Sequence, residues 1–232
     1  MSTISVTAVL NEVAVLLFDT NNIKWSRPEL LNYINTGQRS IVAAIPEASA
    51  TIQGFALLPG TRQTLPAGTN LLLDVICNLG PTAALATGRA VKRTDMIILD
   101  ETNPTWQSDP ASPVTTMYMY NLRDRYAFYV YPQAPGGTSV EINTSVIPVD
   151  IAESTAGAPT LLTVGDMYQP ALLDYVLWRC YSKAAPFGDA AKTDMYNKSF
   201  AGYLAGFVGD AAKLASEMGN LTALTPQGQG SG

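Results

Sequence analysis

The chain has no histidine and few charged residues. Of its 232 residues none is His, and only 14% are Asp, Glu, Lys or Arg, against about 25% in an ordinary soluble domain. Without imidazole the chain cannot form a Ser-His-Asp or Cys-His nucleophile, a His-rich zinc site or a histidine proton shuttle. The shortage of charge indicates that part of the surface faces other protein.

Cysteines and long hydrophobic runs are also scarce. Cys77 and Cys180 each stand in an apolar stretch, which is typical of buried packing residues, with a disulfide or a reactive thiol as the alternative. No stretch approaches about 18 uncharged apolar residues, so we expect no membrane span. The N-terminal sequence lacks the basic region and apolar core of a signal peptide, so we expect synthesis in the cytoplasm.

Acidic residues outnumber basic ones, 19 to 14, which gives a formal net charge of −5. A protein whose task is to grip nucleic-acid phosphates needs clustered Lys and Arg, so this balance argues against that class. The basic residues of the central segment are solvated, form ion pairs between subunits, or contact DNA. They are Arg89, Lys92, Arg93, Arg123 and Arg125.

Four segments show the apolar spacing of an amphipathic helix. They are 5–18, 26–44, 166–185 and 190–218. Ser26, Pro28 and Glu29 form a helix-start signal for the second of them, and Pro46 ends it. The side chains expected in the shared core are Leu31, Ile34, Val42, Leu173, Leu177, Phe200 and Phe207.

Between the second and third helices, short runs rich in Val, Ile, Thr and Tyr are separated by Gly, Pro, Asn and Asp, as in strands and turns. We predict strands over 53–58, 71–79, 90–99, 114–122, 126–131 and 139–146. Aromatic residues alternate in 117–120 and 126–131, which favours a hairpin with its turn at 121–125.

These elements predict an α+β fold. Two N-terminal and two C-terminal helices form a four-helix bundle, and an antiparallel β domain is inserted between them. The helical bundle domain is assigned to 1–50 and 160–218, and the β domain to 51–159. Residues 219–232 carry no charged side chain and are assigned to an extended C-terminal tail.

No motif of a known catalytic or cofactor site is present in the sequence. It contains no GxxxxGK(S/T) loop, GxGxxG fingerprint, EF-hand loop or HExxH, and we predict that the protein is not an enzyme and has no cofactor or metal. The nearest chemical candidate is a carboxylate set that could imitate the acid pair of a glycosidase, although acidic residues in turn-rich segments are usually solvated or capping groups. The set consists of Asp95, Asp100, Glu101 and Asp109.

Two places are candidate partner contacts. Trp106 lies in a polar loop between Pro104 and Pro110, where it is either a contact anchor or part of the packing of that loop. Leu221 and Leu224 lie in the tail, which cannot build a core of its own. We predict that the tail binds another subunit or partner in an extended form, and the alternative is an unattached end.

Several blocks of the sequence, in this order, resemble a family of tailed-bacteriophage head-to-tail connector (adaptor) proteins. The likeness covers roughly residues 25 to 205. The N-terminal blocks are Trp25, Glu29-Leu-Leu-Asn-Tyr-Ile-Asn35, Gln38-Arg39, Leu57, Gly60-Thr-Arg-Gln63, Leu65-Pro66, Leu72, Asp74-Val75 and Asn78-Leu-Gly80. The C-terminal blocks are Pro104-x-Trp106, Phe128-Tyr-Val-Tyr-Pro132, Tyr168, Ala171-Leu-Leu-Asp-Tyr175 and Arg179-x-Tyr-Ser-Lys183.

The resemblance implies a structural protein in the neck of the virion, made in the bacterial host. Its partners would be further copies of itself in a ring, commonly of about twelve in such adaptors, the portal protein and a tail or nozzle protein. Double-stranded DNA would pass through the ring without specific binding, since an acidic channel protein holds phosphates weakly. The portal is then the second candidate target of the tail.

Other functions remain as alternatives. The chain could be a different neck or tail-completion protein of a phage, a sugar-binding β-sandwich module, or a hydrolase that uses the carboxylates. A ring-shaped particle favours the phage proteins, a monomer that binds a glycan favours the sugar-binding module, and activity lost on changing Asp100 or Asp109 favours the hydrolase.

Overall fold

The structure is a computed structural model that describes residues 2–80, 88–153, 159–183 and 186–222. Within the last range, the side chains of 211, 212 and 214–222 are not described. The fold is α+β and divides into two compact units. We call Pro46–Asp150 with Thr163–Gly165 the β unit. The helical unit consists of Ser2–Ile45, Ile151–Leu162 and the residues from Asp166 onward.

The described residues form five α-helices and seven strands. The helices are α1 (Val6–Leu16), α2 (Arg27–Ala44), α3 (Met96–Thr102), α4 (Gln169–Tyr181) and α5 (Ala190–Thr222). The strands are β1 (Ala50–Ala56), β2 (Gly60–Thr64), β3 (Thr69–Leu79), β4 (Lys92–Arg93), β5 (Met117–Tyr120), β6 (Ala127–Ala134) and β7 (Ser139–Val146). Short 3-10 helices cover Pro46–Ser49, Trp106–Ser108 and Asp166–Tyr168.

Helix α4 is the centre of the helical unit, where it packs against α1, α2 and α5. A glycine permits the close approach of α2: a Cβ atom added at Gly37 would lie 2.6 Å from Leu172 Cδ1 and 2.9 Å from Tyr175 Cδ1. The main contacts of α5 are with α4. The predicted four helices are therefore confirmed as elements, but these contacts do not establish a closed four-helix bundle.

The predicted helical core is only partly right. Ile34, Val42, Leu177 and Phe200 are buried as predicted. The other predicted core residues are half-buried. These are Leu31, Leu173 and Phe207.

The β unit contains two sheets. One is antiparallel with strand order β1-β7-β3, and the other has the order β2-β6-β5-β4, in which only the short β4–β5 pairing is parallel. Side chains from both sheets, among them Val75 and Ile142 from the first and Phe128 and Val130 from the second, belong to one buried cluster. Alternation along the strands directs these side chains to one face of each sheet.

The prediction of a strand over 90–99 is wrong. Only Lys92–Arg93 is extended, and the apolar run that follows forms α3. The Asp95 carboxylate accepts a hydrogen bond from the Ile97 backbone N–H at 3.2 Å, so it caps a helix where the residue types alone favoured a strand.

Two further differences concern an unpredicted strand and the end of the last helix. Strand β2 was not predicted because Gly60–Thr64 has no alternation of apolar residues, yet it pairs with β6. Helix α5 continues beyond Met218 to Thr222, so the predicted extended conformation is wrong for 219–222. The rest of the predicted tail lies outside the described residues.

Candidate assembly surfaces

The carboxylates of the hydrolase hypothesis are mostly engaged in local hydrogen bonds. Asp95 caps α3, and Asp100 accepts a hydrogen bond from the Trp106 indole N–H at 2.8 Å. Asp109 accepts hydrogen bonds from Asn103 Nδ2 at 2.7 Å and the Tyr131 hydroxyl at 2.9 Å. Three of the four therefore support the local fold, and Glu101 is exposed.

Trp106 is buried within the β unit. Its side chain is 1% exposed, and it packs in a small cluster with Leu99 and Met119. The rings of Tyr129 and Tyr131 meet the indole edge-on, with centroids 6.2 and 6.3 Å away. This environment supports loop packing, the alternative to a contact anchor, and the direct partner contact of Trp106 stays a prediction.

The predicted tail contacts lie at the limit of the described chain. Leu221 belongs to the last turn of α5, and Leu224 lies outside the described residues. The role of Leu221 and Leu224 in binding stays a prediction.

The two cysteines are free and buried, as predicted for packing residues. Burial raises the pKa of Cys180 to about 12. Burial and the neighbouring Glu141 carboxylate raise the pKa of Cys77. A raised pKa disfavours the thiolate, which is the reactive form of cysteine.

The described residues offer neither a metal-ligand cluster nor a membrane-spanning helix. No group of three or more Cys, Asp or Glu side chains there is placed to hold a metal ion. Within the same ranges, none of the helices combines the length and hydrophobicity needed to cross a bilayer.

Helix α5 presents a large surface outside the contact with α4. Among its described side chains only Phe200 is buried, while Met195, Tyr203 and Val208 are 42–54% exposed. A shallow groove of about 600 Å³ runs along this helix. It is lined by Ser199, Gly202, Tyr203, Gly206, Phe207 and Asp210.

A second exposed apolar site is the loop between α1 and α2, residues 17–25, which we call the Phe18 loop. Phe18 is 91% exposed and Ile23 is 82% exposed. The Asp19 carboxylate, 7% exposed at the residue level, accepts backbone hydrogen bonds from Ile23 at 2.9 Å, Lys24 at 2.7 Å and Trp25 at 2.9 Å. Burial opposes ionisation of Asp19, but these three bonds outweigh it and lower its pKa.

The backbone of the Phe18 loop is strained. Phe18 has φ 54° and Asn22 has φ 53°, in the left-handed region that non-glycine residues seldom occupy. For a bulky residue such as Phe this conformation is an outlier, with a cost of about 1–2 kcal/mol. At Phe18 this conformation closes α1, since the Phe18 N–H donates to the Val15 carbonyl at 3.0 Å and the Asp19 N–H to the Ala14 carbonyl at 2.9 Å.

The third exposed site is a groove of about 800 Å³ in the β unit, between α3 and the end of β5, which we call the α3–β5 groove. Ile97, Ile98 and Leu122 line it and are 57–63% exposed. Arg93 and Arg123 also line it and form no salt bridge with any residue that the structure describes.

Sequence reasoning missed both the Phe18 loop and the α3–β5 groove. For the loop, a signal was present: Phe18 precedes Asp19-Thr20-Asn21-Asn22, a turn sequence that places an apolar side chain outside a helix. For the groove the sequence held no usable signal, since the residue types around Ile97 and Ile98 predict a buried strand.

Comparison with known proteins gives one family. A search of curated proteins gave no match. The family model described as "SU10 adaptor protein" matches residues 4–224, which is nearly the whole chain and includes both units and all five helices. The chain belongs to the SU10 adaptor protein family, a family of phage head-tail adaptors, as its sequence resemblance predicted.

Proposed function

We propose that the chain joins the phage capsid to its tail as a ring of about twelve copies beneath the portal, in the neck of the virion. The observation that carries this proposal is the family match over residues 4–224, because it covers the elements of both units. In this role the protein is structural, has no catalytic activity and lets DNA pass through the ring.

The order of the elements supports a protomer with a helical body and an inserted β domain. The β unit stands in the sequence between α2 and α4. Helices from both ends of the chain meet in the helical unit, where α4 contacts α1, α2 and α5. In the proposed arrangement, α5 completes a four-helix body in each protomer.

The surface of α5 supports assembly through this helix. Gly202, Gly206 and Gly209 recur at intervals of four and three residues, which places them on one helical face. A Cβ atom added at any of them meets no described atom within 4 Å outside the backbone of its own helix and its chain neighbours, so packing among the described residues does not require glycine there. Since glycine destabilises a helix by about 1 kcal/mol relative to alanine, we propose that α5 meets another subunit or the portal closely.

Assembly with other proteins also explains the low content of charged residues. A ring protomer covers two flanks with its neighbours and its ends with the portal and tail, so fewer side chains face water. The net charge of −5 suits a ring around DNA, because an acidic protein binds phosphates weakly.

The proposal is tested by mixing the purified full-length chain with the portal protein of the same phage, and separately with its tail protein. Mass photometry and negative-stain electron microscopy then measure assembly. We expect portal-bound rings with a central hole. Binding to the tail protein alone would favour another neck or tail-completion role, and a monomer that binds neither would contradict the proposal.

A matched pair of variants tests whether α5 contributes to binding of the portal. Val208 on α5 and Ile52 on β1 are β-branched and similarly exposed, at 50% and 59%. Val208→Asp should reduce occupancy of the portal, whereas Ile52→Asp should leave it unchanged. Equal occupancy in the two variants would remove α5 from the proposed interface.

A further inference from the structure

Strand β1 forms an edge of the first sheet, and its outer side is uncovered among the described elements of the β unit. It pairs with β7 over all seven of its residues without a register shift, and its main contacts are with that strand. Its sequence contains no charged residue and no proline, and Ile52 is 59% exposed. A long, regular and uncharged edge of this kind is a template for pairing with another strand.

Alternate residues of β1 direct their backbone groups to this uncovered side. In an antiparallel pair, every second residue exchanges hydrogen bonds with the neighbouring strand, and the residues between them point the other way. The Leu57 N–H donates to the Thr138 carbonyl at 2.8 Å directly after β1, and the same register runs through the strand, so the odd-numbered residues face β7. The N–H and C=O groups of the even-numbered residues form what we call the β1 edge. These residues are Ala50, Ile52, Gly54 and Ala56.

The other three sheet edges of the β unit are blocked. Strand β2 carries the charge of Arg62 and a register shift between Gly60 and Arg62, and β4 consists of two basic residues. Strand β3 has three register shifts, and the Asn78 N–H near its end donates to the Arg89 carbonyl at 3.0 Å. Charge, short length, bulges and cover are the means by which natural sheets prevent edge-to-edge pairing. Strand β1 has none of them among the described residues of the β unit.

A second copy of the chain offers a matching edge in its own β1. An uncovered strand edge requires another uncovered edge as its partner, and among the described strands of a second copy the other three edges are blocked. The β1 edge is also complementary to itself, because an antiparallel pair brings the donors of one strand opposite the acceptors of the other and places no like charges together. Centred on Gln53, this pairing joins all seven residues of each strand. It sets Ala50 opposite Ala56, Thr51 opposite Phe55 and Ile52 opposite Gly54.

We infer that two free copies of the chain join through their β1 edges, antiparallel and centred on Gln53. The β1-β7-β3 sheets of the two copies then become one continuous sheet. The contact is isologous and uses both edges, so it stops at two copies and is not a contact between successive protomers of a ring. The inference therefore goes beyond the proposed function, because it describes the chain before it reaches the portal, and it does not involve α5.

A charge swap at the centre of the pairing tests it. Gln53 is exposed, and in this register the two copies of the residue face each other with Cβ atoms about 4.5–5.5 Å apart. Gln53→Lys in both copies, or Gln53→Glu in both, therefore opposes like charges, whereas a mixture of the two variants pairs opposite charges. Sedimentation velocity of the full-length chain measures dimer formation between about 1 and 100 µM, the range suited to a contact of this small size.

We expect the wild-type chain to form a reversible dimer in this range. Each variant of Gln53 alone should raise the dissociation constant of the dimer about fivefold, as for like charges directly opposite each other, and the equimolar mixture should restore the wild-type value. Gln107→Lys and Gln107→Glu are the matched controls, since Gln107 is exposed in the same unit and lies outside β1. Both controls should dimerise as the wild type does.

Amide hydrogen exchange gives a second measurement on the same samples. The N–H groups of Ile52 and Gly54 lie on the β1 edge, so pairing should slow their exchange. We expect this protection to increase with the concentration of the wild-type chain and to be weaker in Gln53→Lys at the same concentration. Fast exchange of both groups in the wild type at every concentration would contradict the pairing.

The outcomes separate this inference from the proposed function. A wild-type chain that stays monomeric would overturn the pairing, and the β1 edge would then be free for a different protein. Equal dissociation constants for the wild type and the Gln53 variants, or no recovery in their mixture, would overturn it as well. If portal-bound rings form without the dimer, the adaptor function stands alone. A dimer that shows this charge dependence but never binds the portal would support the pairing and contradict the adaptor function.

Discussion

Helices α4 and α5 lie against each other in the helical unit, but they differ in how much surface the chain itself covers. The buried residues of α4 include Leu172, Val176, Leu177 and Cys180, whereas Phe200 is the buried residue among the described side chains of α5. Helix α4 thus specifies the fold of the protomer. In the proposed assembly, other molecules cover the exposed part of α5, and its sequence then reflects assembly more than folding.

The test of this contrast with the largest expected effect replaces one side chain in each helix by alanine. Leu177 in α4 is 3% exposed, and Leu177→Ala should lower the free energy of unfolding by about 2–5 kcal/mol, since it leaves a cavity. Val208→Ala on α5 should change it by less than about 0.5 kcal/mol. Urea unfolding followed by circular dichroism measures both, and similar losses would show that α5 is as well packed as α4.

Glycine substitutions give the next largest effect. Gly37→Ala places a Cβ atom 2.6 Å from Leu172 Cδ1, and moving α2 away from α4 should cost about 1–3 kcal/mol of stability. Urea unfolding of the same kind checks this value. No loss of stability would show that the Leu172 side chain can move aside freely.

The matching substitution in α5 should act in the opposite direction. Gly202→Ala meets no atom within 4 Å and replaces a poor helix former, so it should raise the stability of the protomer by up to about 1 kcal/mol. The same variant should occupy the portal less well if α5 is approached closely in the assembly. A variant that is more stable and assembles normally would leave the glycines of α5 unexplained.

A smaller effect concerns the N-terminal segment and pH. Asp166 accepts hydrogen bonds from the Ser2 hydroxyl at 2.6 Å and from the Thr3 backbone and hydroxyl at 2.8 and 2.6 Å. These bonds lower the pKa of Asp166 to about 2. Its contribution to stability is therefore complete above its unfolded pKa of about 4 and is lost as the pH falls towards 2.

Asp166→Asn checks that contribution through its pH dependence. The variant should lose less stability than the wild type between about pH 5 and pH 2, because it has no carboxylate to protonate. Asp194→Asn, at an exposed position on α5, is the control for general charge effects. Identical pH profiles of the wild type and Asp166→Asn would contradict the assigned role.

Sequence patterns predicted the parts of the fold in which local and tertiary preferences agree. The four long helices and the strand over 139–146 follow apolar periodicity and are confirmed. Apolar periodicity predicted the wrong element at 96–102, where Asp95 caps a helix, and it did not predict strand β2. In β2 the buried Gln63 side chain bonds to the Leu58 backbone N–H and C=O at 2.7 and 2.9 Å.

The candidate surfaces were harder to predict than the fold. Trp106 and Phe18 are both aromatic residues next to turns, yet one is 1% and the other 91% exposed. The burial of Trp106 depends on contacts from distant strands, which bring Met119 and Tyr129 to it, whereas the exposure of Phe18 follows from the local turn sequence. The expectation from composition that some surface faces other protein stays a prediction, and composition did not indicate which surface.

The most direct test of the adaptor account is cryo-electron microscopy of the virion neck. The account predicts a ring of copies of this chain between portal and tail, with an open channel for DNA and with α5 against a neighbouring subunit or the portal. A neck that lacks this chain, or one in which α5 faces solvent along its whole length, would contradict the account.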